Sequence, residues 1–457
     1  IYALSIFIES ESRHSMRAFP DTPTRPAHRQ VSCTLAPPPP NRPVRLMSSR
    51  SAPSPAFLAG RIFLPFALGY YLSYLLRTVN AVISPDLTRE LGLSAADLGL
   101  LTSMYFFAFG LAQIPVGIAL DRYGPRRVEA ALLLLTAIGG VLFATGESLP
   151  TLASGRGLIG MGVSACLMGG LKGFTQWYPR EKLASMTGYI MSSGALGAVT
   201  ASAPLEAALP FLGWRGAFWL VAALAAGVAA LIFFSMPEKE EGHETGDLQH
   251  ALRGVSEVLT ARTFWGFAAQ SAFFTGGFMA LQGLWAVPWL MEVNGYSRAL
   301  AADHLFWLNI GMLAGQLAIG AWAMPLAARG ITPLRIMQIG LFISMLVEAL
   351  IIAETGSTLA LWCVLGAVSA TGAQMYGVMS GLFAPHLTGR VTTSINLMAF
   401  VGAFVVQWGL GGLLDTLRAG GIDAADSLRI AFVILLVAQV LSFIPLSRAG
   451  RYRPWEN

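Results

Sequence analysis

Twelve runs of predominantly apolar residues follow one another from Arg61 onward: 62–84, 97–120, 128–146, 151–175, 183–205, 216–236, 263–290, 303–325, 333–353, 358–382, 391–414 and 428–447. About twenty helical residues rise roughly 30 Å, the thickness of bilayer hydrocarbon, so each run predicts a membrane-spanning helix. The runs are interrupted at "SPDLTRELGLSAAD", "DRYGPRR", "TGESLP", "YPREK" and "LGWRG", where Pro, Gly or charge ends a span, and by counterparts in the second half. The pattern is one of long continuous runs, not of short segments alternating at every second position, which excludes a β-barrel.

Basic residues in alternate short loops set the orientation. One side holds Arg122, Arg126, Arg127, Arg180, Lys182, Arg329, Arg335, Arg390, Arg448, Arg451 and Arg453, while the other holds Arg89, Arg215, Arg298, Arg418 and Arg429. Positive loops stay inside, so the first side is expected to be cytoplasmic, and an even number of spans puts both termini there. The longest connection, between the sixth and seventh runs, is charged at first; Leu248, Leu252, Val255 and Leu259 then recur at helical spacing and predict an amphipathic cytoplasmic helix. The expected organisation is therefore all-α: a six-helix bundle over 57–236, a linker over 237–262, a second six-helix bundle over 263–447 and a tail over 448–457. Two bundles about a central site suit alternating access. Residues 1–56, with "APPPPNRP" and scattered Arg and Ser, are too polar to span and are expected to be disordered, with Met47 as the expected initiator.

Composition agrees with the pattern: 54% of the 457 residues are hydrophobic and 12% charged, and the mean hydropathy is +0.60. A soluble domain would carry about twice that share of charge. The net charge of +5 is accounted for by loop arginines, so no nucleic-acid partner is implied. Cys33, Cys166 and Cys363 have no metal-ligand or disulfide spacing, and neither metal nor cofactor is expected. Arg far outnumbers Lys, which occurs at 172, 182 and 239, as a GC-rich bacterial genome would produce, and an inner-membrane location follows. With no Walker phosphate loop, ATP hydrolysis is not the energy source.

The loop after the second run reads "GIALDRYGPRR", Gly117 to Arg127. Its Gly117, Asp121, Arg122, Gly124, Arg126 and Arg127 resemble the loop signature of the major facilitator superfamily, at the position that family requires. The resemblance implies a transporter fold in which this loop latches one conformation. Gly117 would allow two helices to approach, Asp121 would face a helix N-terminus, and the arginines would supply anchoring and salt bridges. "GRGLIGMGVS" carries a further family element at Arg156, Gly160 and Gly162, while "KGFTQWYPREK" and "GWRGAF" are similar to the anion:cation symporter branch, which includes sialic acid, hexuronate and phthalate carriers. Leu76 and Val163 stand where that branch carries acidic residues, which argues against proton symport by that route.

Within the first run, Tyr70, Ser73, Arg77, Asn80 and Ser84 recur at steps of three or four and form one polar helix face. A charge at mid-membrane costs about 2.5–3.5 kcal/mol, so Arg77 needs water, a partner or a ligand, or else snorkels to the surface. Arg156 is expected at a similar depth, where it either completes a guanidinium pair for a carboxylate or phosphate or hydrogen-bonds a helix. Lys172 reads as an inner gate or as a snorkelling cation. In the second half, Gln282, Trp285, Gln374 and Asn396 are candidates for a ligand's neutral part, each also explicable by helix packing. Glu348 is expected at the membrane interface.

These readings converge on a secondary transporter of a small anionic organic solute, working by alternating access. The proposed site is Arg77, Asn80, Arg156, Gln282, Trp285, Gln374 and Asn396, and the partners are the solute, the lipid bilayer, and a proton, sodium ion or counter-substrate. Two alternatives remain at this level: an exporter of an amphipathic or siderophore-like compound, and a ligand sensor with a transporter fold that moves nothing. No enzymatic constellation is present, because no His/Asp/Glu cluster falls within a span.

Overall fold

The computed structural model describes residues 54–237, 248–384 and 387–447. The expectations for residues 1–53 and 448–457, and for the charged part of the linker, lie outside the described residues. The helices are α1 (Pro55–Leu91), α2 (Ala95–Thr145), α3 (Leu149–Trp177), α4 (Arg180–Thr200), α5 (Ala203–Ser235), α6 (Leu248–Thr260), α7 (262–292), α8 (Arg298–Ala328), α9 (Pro333–Ile352), α10 (Thr358–Ser380), α11 (Thr388–Ala419) and α12 (Ala424–Ser447). Among the described residues nine helices are long and apolar enough to cross a membrane, namely all of these except α4, α6 and α7.

Two of the long helices are interrupted by a non-helical glycine. α2 has 51 residues, about 76 Å of helix and more than twice a bilayer. Gly124 interrupts it with φ 77° and ψ 161°, a conformation open to glycine and strained for other residues, and Pro125 then starts the next helix. Gly213, φ 62°, divides α5 in the same way within the predicted "LGWRG" break.

α1 extends past the apolar run 62–84 and carries Pro85 in its interior. Proline supplies no N–H to the Ala81 carbonyl, and the Ser84 hydroxyl donates to that carbonyl instead at 3.1 Å. The helix therefore survives its proline and delivers Asp86, Arg89 and Glu90 on one rigid element.

Three helices change geometry in mid-course. α3 breaks at 163–165, between Leu149–Gly162 and Cys166–Trp177. α10 tightens to a 3₁₀ turn at Ala370–Ala373, and α7 widens to π turns at Ser271–Gly276 and Leu281–Trp285. Such departures leave backbone groups and side chains oriented away from the regular ladder and recur at functional positions.

Candidate functional site

Arg77 is 5% exposed. Its guanidinium lies 4.4 Å from the centre of the Tyr74 ring, 5.7 Å from Phe109 and 5.6 Å from Phe400. Phe109 of α2 and Phe400 of α11 stack with centroids 4.2 Å apart, so elements from the beginning and the end of the chain meet over one cation. Aromatic faces stabilise a guanidinium without neutralising it. Among the described residues no carboxylate pairs with Arg77, and its Nε has no hydrogen-bond partner.

Arg156 is fully buried beside this group. Nη1 donates to the Leu76 carbonyl at 2.8 Å, the guanidinium lies 5.1 Å from the Tyr105 ring, and Nε and Nη2 are unpartnered. Arg156 thus ties α3 to α1 at the residue preceding Arg77 while two donor groups remain unused. Tyr105 completes the link, donating its hydroxyl to the Ser73 carbonyl at 2.9 Å.

Other predicted site residues divide into those near open polar groups and those already engaged. Asn80 Nδ2 donates to Thr102 Oγ1 at 2.9 Å, so that part of the α1 stripe faces α2. Gln282 Nε2 donates to Asn309 Oδ1 at 2.7 Å, and Asn309 Nδ2 donates to the Ala198 carbonyl at 2.9 Å, forming a bridge from α7 through α8 to α4. Trp285 is buried on the second π turn with its Nε1 unpartnered. Gln374 is half-buried at the end of the 3₁₀ turn in α10. Asn396 accepts from the Tyr376 hydroxyl at 2.9 Å and donates to Gln113 Oε1 at 3.3 Å, another contact between the first and second halves. Tyr105, Phe109, Gln113 and Phe400 were not singled out in sequence. Their aromatic and amide side chains look like ordinary core positions until contacts distant along the chain bring them to Arg77 or Asn396.

The loop signature forms a local network. Lys172 donates to Asp121 at 2.5 Å, which joins the expected gate to the expected latch. Asp121 therefore meets an ammonium, not a helix N-terminus. Arg126 Nε donates to the Phe233 carbonyl at 2.7 Å, and Arg122 lies 5.3 Å from the Tyr123 ring. Gly117 is not a point of close approach here, since a Cβ added to it would meet nothing within 4 Å. Glu348, near the end of α9, is buried and accepts from Gln439 Nε2 at 3.2 Å, because α12 covers it with an amide.

Ion pairs cross between the halves at the other end of the molecule. Arg298 of α8 binds Asp86 of α1 at 2.7 Å and Glu206 of α5 at 3.1 Å. Asp415 of α11 accepts the first amides of α2, from Ala95 at 3.1 Å and Ala96 at 2.9 Å, a carboxylate cap on a helix N-terminus. α11 can come this close because Gly411 faces the Ala95 backbone, where a Cβ would overlap the carbonyl. A pocket of about 320 Å³ at this end, between Asp86, Trp214 and Arg298, shares no lining residue with the Arg77 group.

The profile of the Major Facilitator Superfamily matches residues 66–449. The chain belongs to this superfamily. It is a secondary transporter and an integral multi-pass membrane protein, and it is not an enzyme. It is 23% identical over 397 residues to the probable L-galactonate transporter of Escherichia coli (strain K12), covering 79% of this chain and 86% of that protein. It is 27% identical over 217 residues to the hexuronate transporter of the same organism, covering 44% of this chain and 50% of that protein. In solved structures, a bacterial homolog of the human lysosomal transporter Spinster, in an inward-facing and unoccupied conformation, matches with a TM-score of 0.69 at 19% identity, covering 88% of this chain and 100% of that one. These likenesses support the superfamily fold and the anion:cation symporter pattern in the loop and α3 motifs.

Proposed function

We propose that this transporter moves a small organic anion of the sugar-acid class across a bacterial inner membrane by alternating access. The observation that carries the reading is Arg77, a permanent cation buried among Tyr74, Phe109 and Phe400 with no acidic partner among the described residues. A cation held this way attracts a carboxylate, and Arg156, with Nε and Nη2 unpartnered, supplies further donors. Gln374, Asn396 and Trp285 offer amide and aromatic contacts for the neutral part of the solute, while Asn80 and Gln282 hold the surrounding helices in place. The solutes for which the two E. coli relatives are named, L-galactonate and hexuronate, belong to the same chemical class.

In this reading twelve spans form two six-helix bundles over 57–236 and 263–447, joined by the 237–262 linker, with both termini cytoplasmic. The division of α2 at Gly124 and of α5 at Gly213 supports that count, with α4 and the first arm of α5 taken as one span, as does the pairing of broken spans α3 and α10 at corresponding places in the two halves. The positive loops make the Asp121 end cytoplasmic, so the state described is closed to the outside by Arg298 and Asp415. The Asp121 loop with Lys172 is the latch and gate of the opposite state. Energy comes from a coupling ion, proton or sodium, or from a counter-substrate.

Counterflow in proteoliposomes tests this directly. Vesicles loaded with unlabelled L-galactonate or galacturonate should accumulate the labelled acid transiently, and competition should follow the carboxylate. Absence of counterflow across a panel of sugar acids and other small organic acids would reject the reading.

A further inference from the structure

Glu129 lies in the second arm of α2, directly after the loop arginines, and is 0% exposed. Neither carboxyl oxygen has a hydrogen-bond partner. The group fits between two glycines on other helices, Oε1 against Gly69 of α1 and Oε2 against Gly169 of α3; a Cβ at Gly69 would come within 2.6 Å of Oε1, and one at Gly169 would also collide. The space is therefore shaped for a carboxyl group and offers it, among the described residues, no donor stronger than the Cys166 thiol.

Among the described residues no ion pair reaches Glu129. On α3 the Cys166 thiol stands beside the carboxyl, and Lys172, one turn beyond Gly169, is held by Asp121. On α1, Tyr70 directs its hydroxyl to Met191 Sδ at 3.6 Å and Arg61 lies over Phe57. On α5, Arg215 is paired with Glu90, and on α2 itself Arg126 donates to the Phe233 carbonyl. An ionised carboxylate in this position would cost several kcal/mol, so the uncharged acid is the form that this packing holds.

We propose that Glu129 is the proton site that couples solute movement to the proton gradient, an inference that rests on the transport reading above. The covering segment Cys166–Trp177 is separated from the rest of α3 by the break at 163–165, where Val163 adopts φ −90° and ψ 0°. When this half-helix swings from Gly69, water reaches the carboxyl, its O–H bond breaks, and the proton passes to water, leaving a carboxylate. Lys172 then exchanges Asp121 for Glu129. Refolding of the segment over an ionised Glu129 is unfavourable, so closure requires a proton. Arg77 lies two turns along α1 from Gly69, about 12 Å, so solute binding and proton binding act on the same helix.

The test uses the full chain in proteoliposomes with labelled galacturonate and L-galactonate, comparing accumulation driven by an imposed pH gradient with counterflow at equal pH. In Glu129→Gln, which mimics the protonated acid, the ratio of gradient-driven accumulation to counterflow should fall roughly tenfold or more. Glu129→Asp should retain accumulation with a displaced pH profile. An unchanged ratio in Glu129→Gln overturns the proposal. Infrared difference spectra of the detergent-solubilised protein at neutral pH add a readout independent of solute: a protonated-carboxyl band present in the wild type and lost in Glu129→Gln supports the assignment, and its absence from the wild type overturns it. Failure of the wild type to exchange either acid, with this band present, counts against the solute reading and not against the proton site.

Discussion

The two ends of the molecule are held by contacts of different reach. At the Arg298 end the partners come from both halves of the chain: Arg298 with Asp86 and Glu206, and Asp415 with the N-terminus of α2. At the Asp121 end, about 39 Å further along the same helical arm, the partners Asp121 and Lys172, and Arg126 and Phe233, all belong to the first half. In the proposed alternating-access cycle, contacts between halves must break when access switches, while contacts within a half can persist. The first set therefore stabilises the present state, while the second stiffens one bundle and remains available for the other state.

The largest effect is expected where the two halves meet over a cation. Arg77→Gln removes a charge-assisted interaction worth about 1.5–3 kcal/mol, so affinity for a sugar acid should fall roughly 10- to 100-fold while the fold is retained, as read by counterflow and thermal stability. Next is Arg298→Ala, which leaves Asp86 and Glu206 without their cation; a loss of about 1–3 kcal/mol from this state should shift the population toward opening of that end. Spin labels at the exposed positions Thr88 and Ala299 would report a longer distance in the variant, and an unchanged distribution would deny the ion pairs their closing role. The smallest effect is expected from Asp121→Asn. With side-chain exposures of 28% for Lys172 and 55% for Asp121, that pair should contribute about 0.2–1 kcal/mol, and thermal stability should move little. An effect of Asp121→Asn on state populations as large as that of Arg298→Ala would erase the contrast between the ends.

Much of this architecture is legible in the apolar runs. The run 333–353 corresponds to Pro333–Ile352 and the run 358–382 to Thr358–Ser380, because length and hydropathy alone define such helices. The continuation of α1 through Pro85 was hidden, since it depends on one hydroxyl, that of Ser84, replacing a missing amide. The π turns of α7 and the break in α3 leave no composition signal, as they arise where neighbouring helices compete for backbone and side-chain positions.

The site follows the same division. Arg77 stands out in sequence because a charge in an apolar run demands an explanation. Phe109 and Phe400 do not, because any buried aromatic satisfies the apolar pattern and only tertiary packing brings these two to the guanidinium. Glu129 was concealed by its position beside Arg126 and Arg127, where an acidic residue reads as the edge of a charged loop; burial against Gly69 and Gly169 gives it a different character.

The most direct measurement is the affinity of a sugar acid relative to the uncharged sugar of the same skeleton, in the wild type and in Arg77→Gln. A buried cation that recognises a carboxylate predicts a preference for the acid of roughly 10- to 100-fold in the wild type and a ratio near unity in the variant. Equal preference for the acid in both proteins would contradict the assignment of Arg77 as the anion-binding residue.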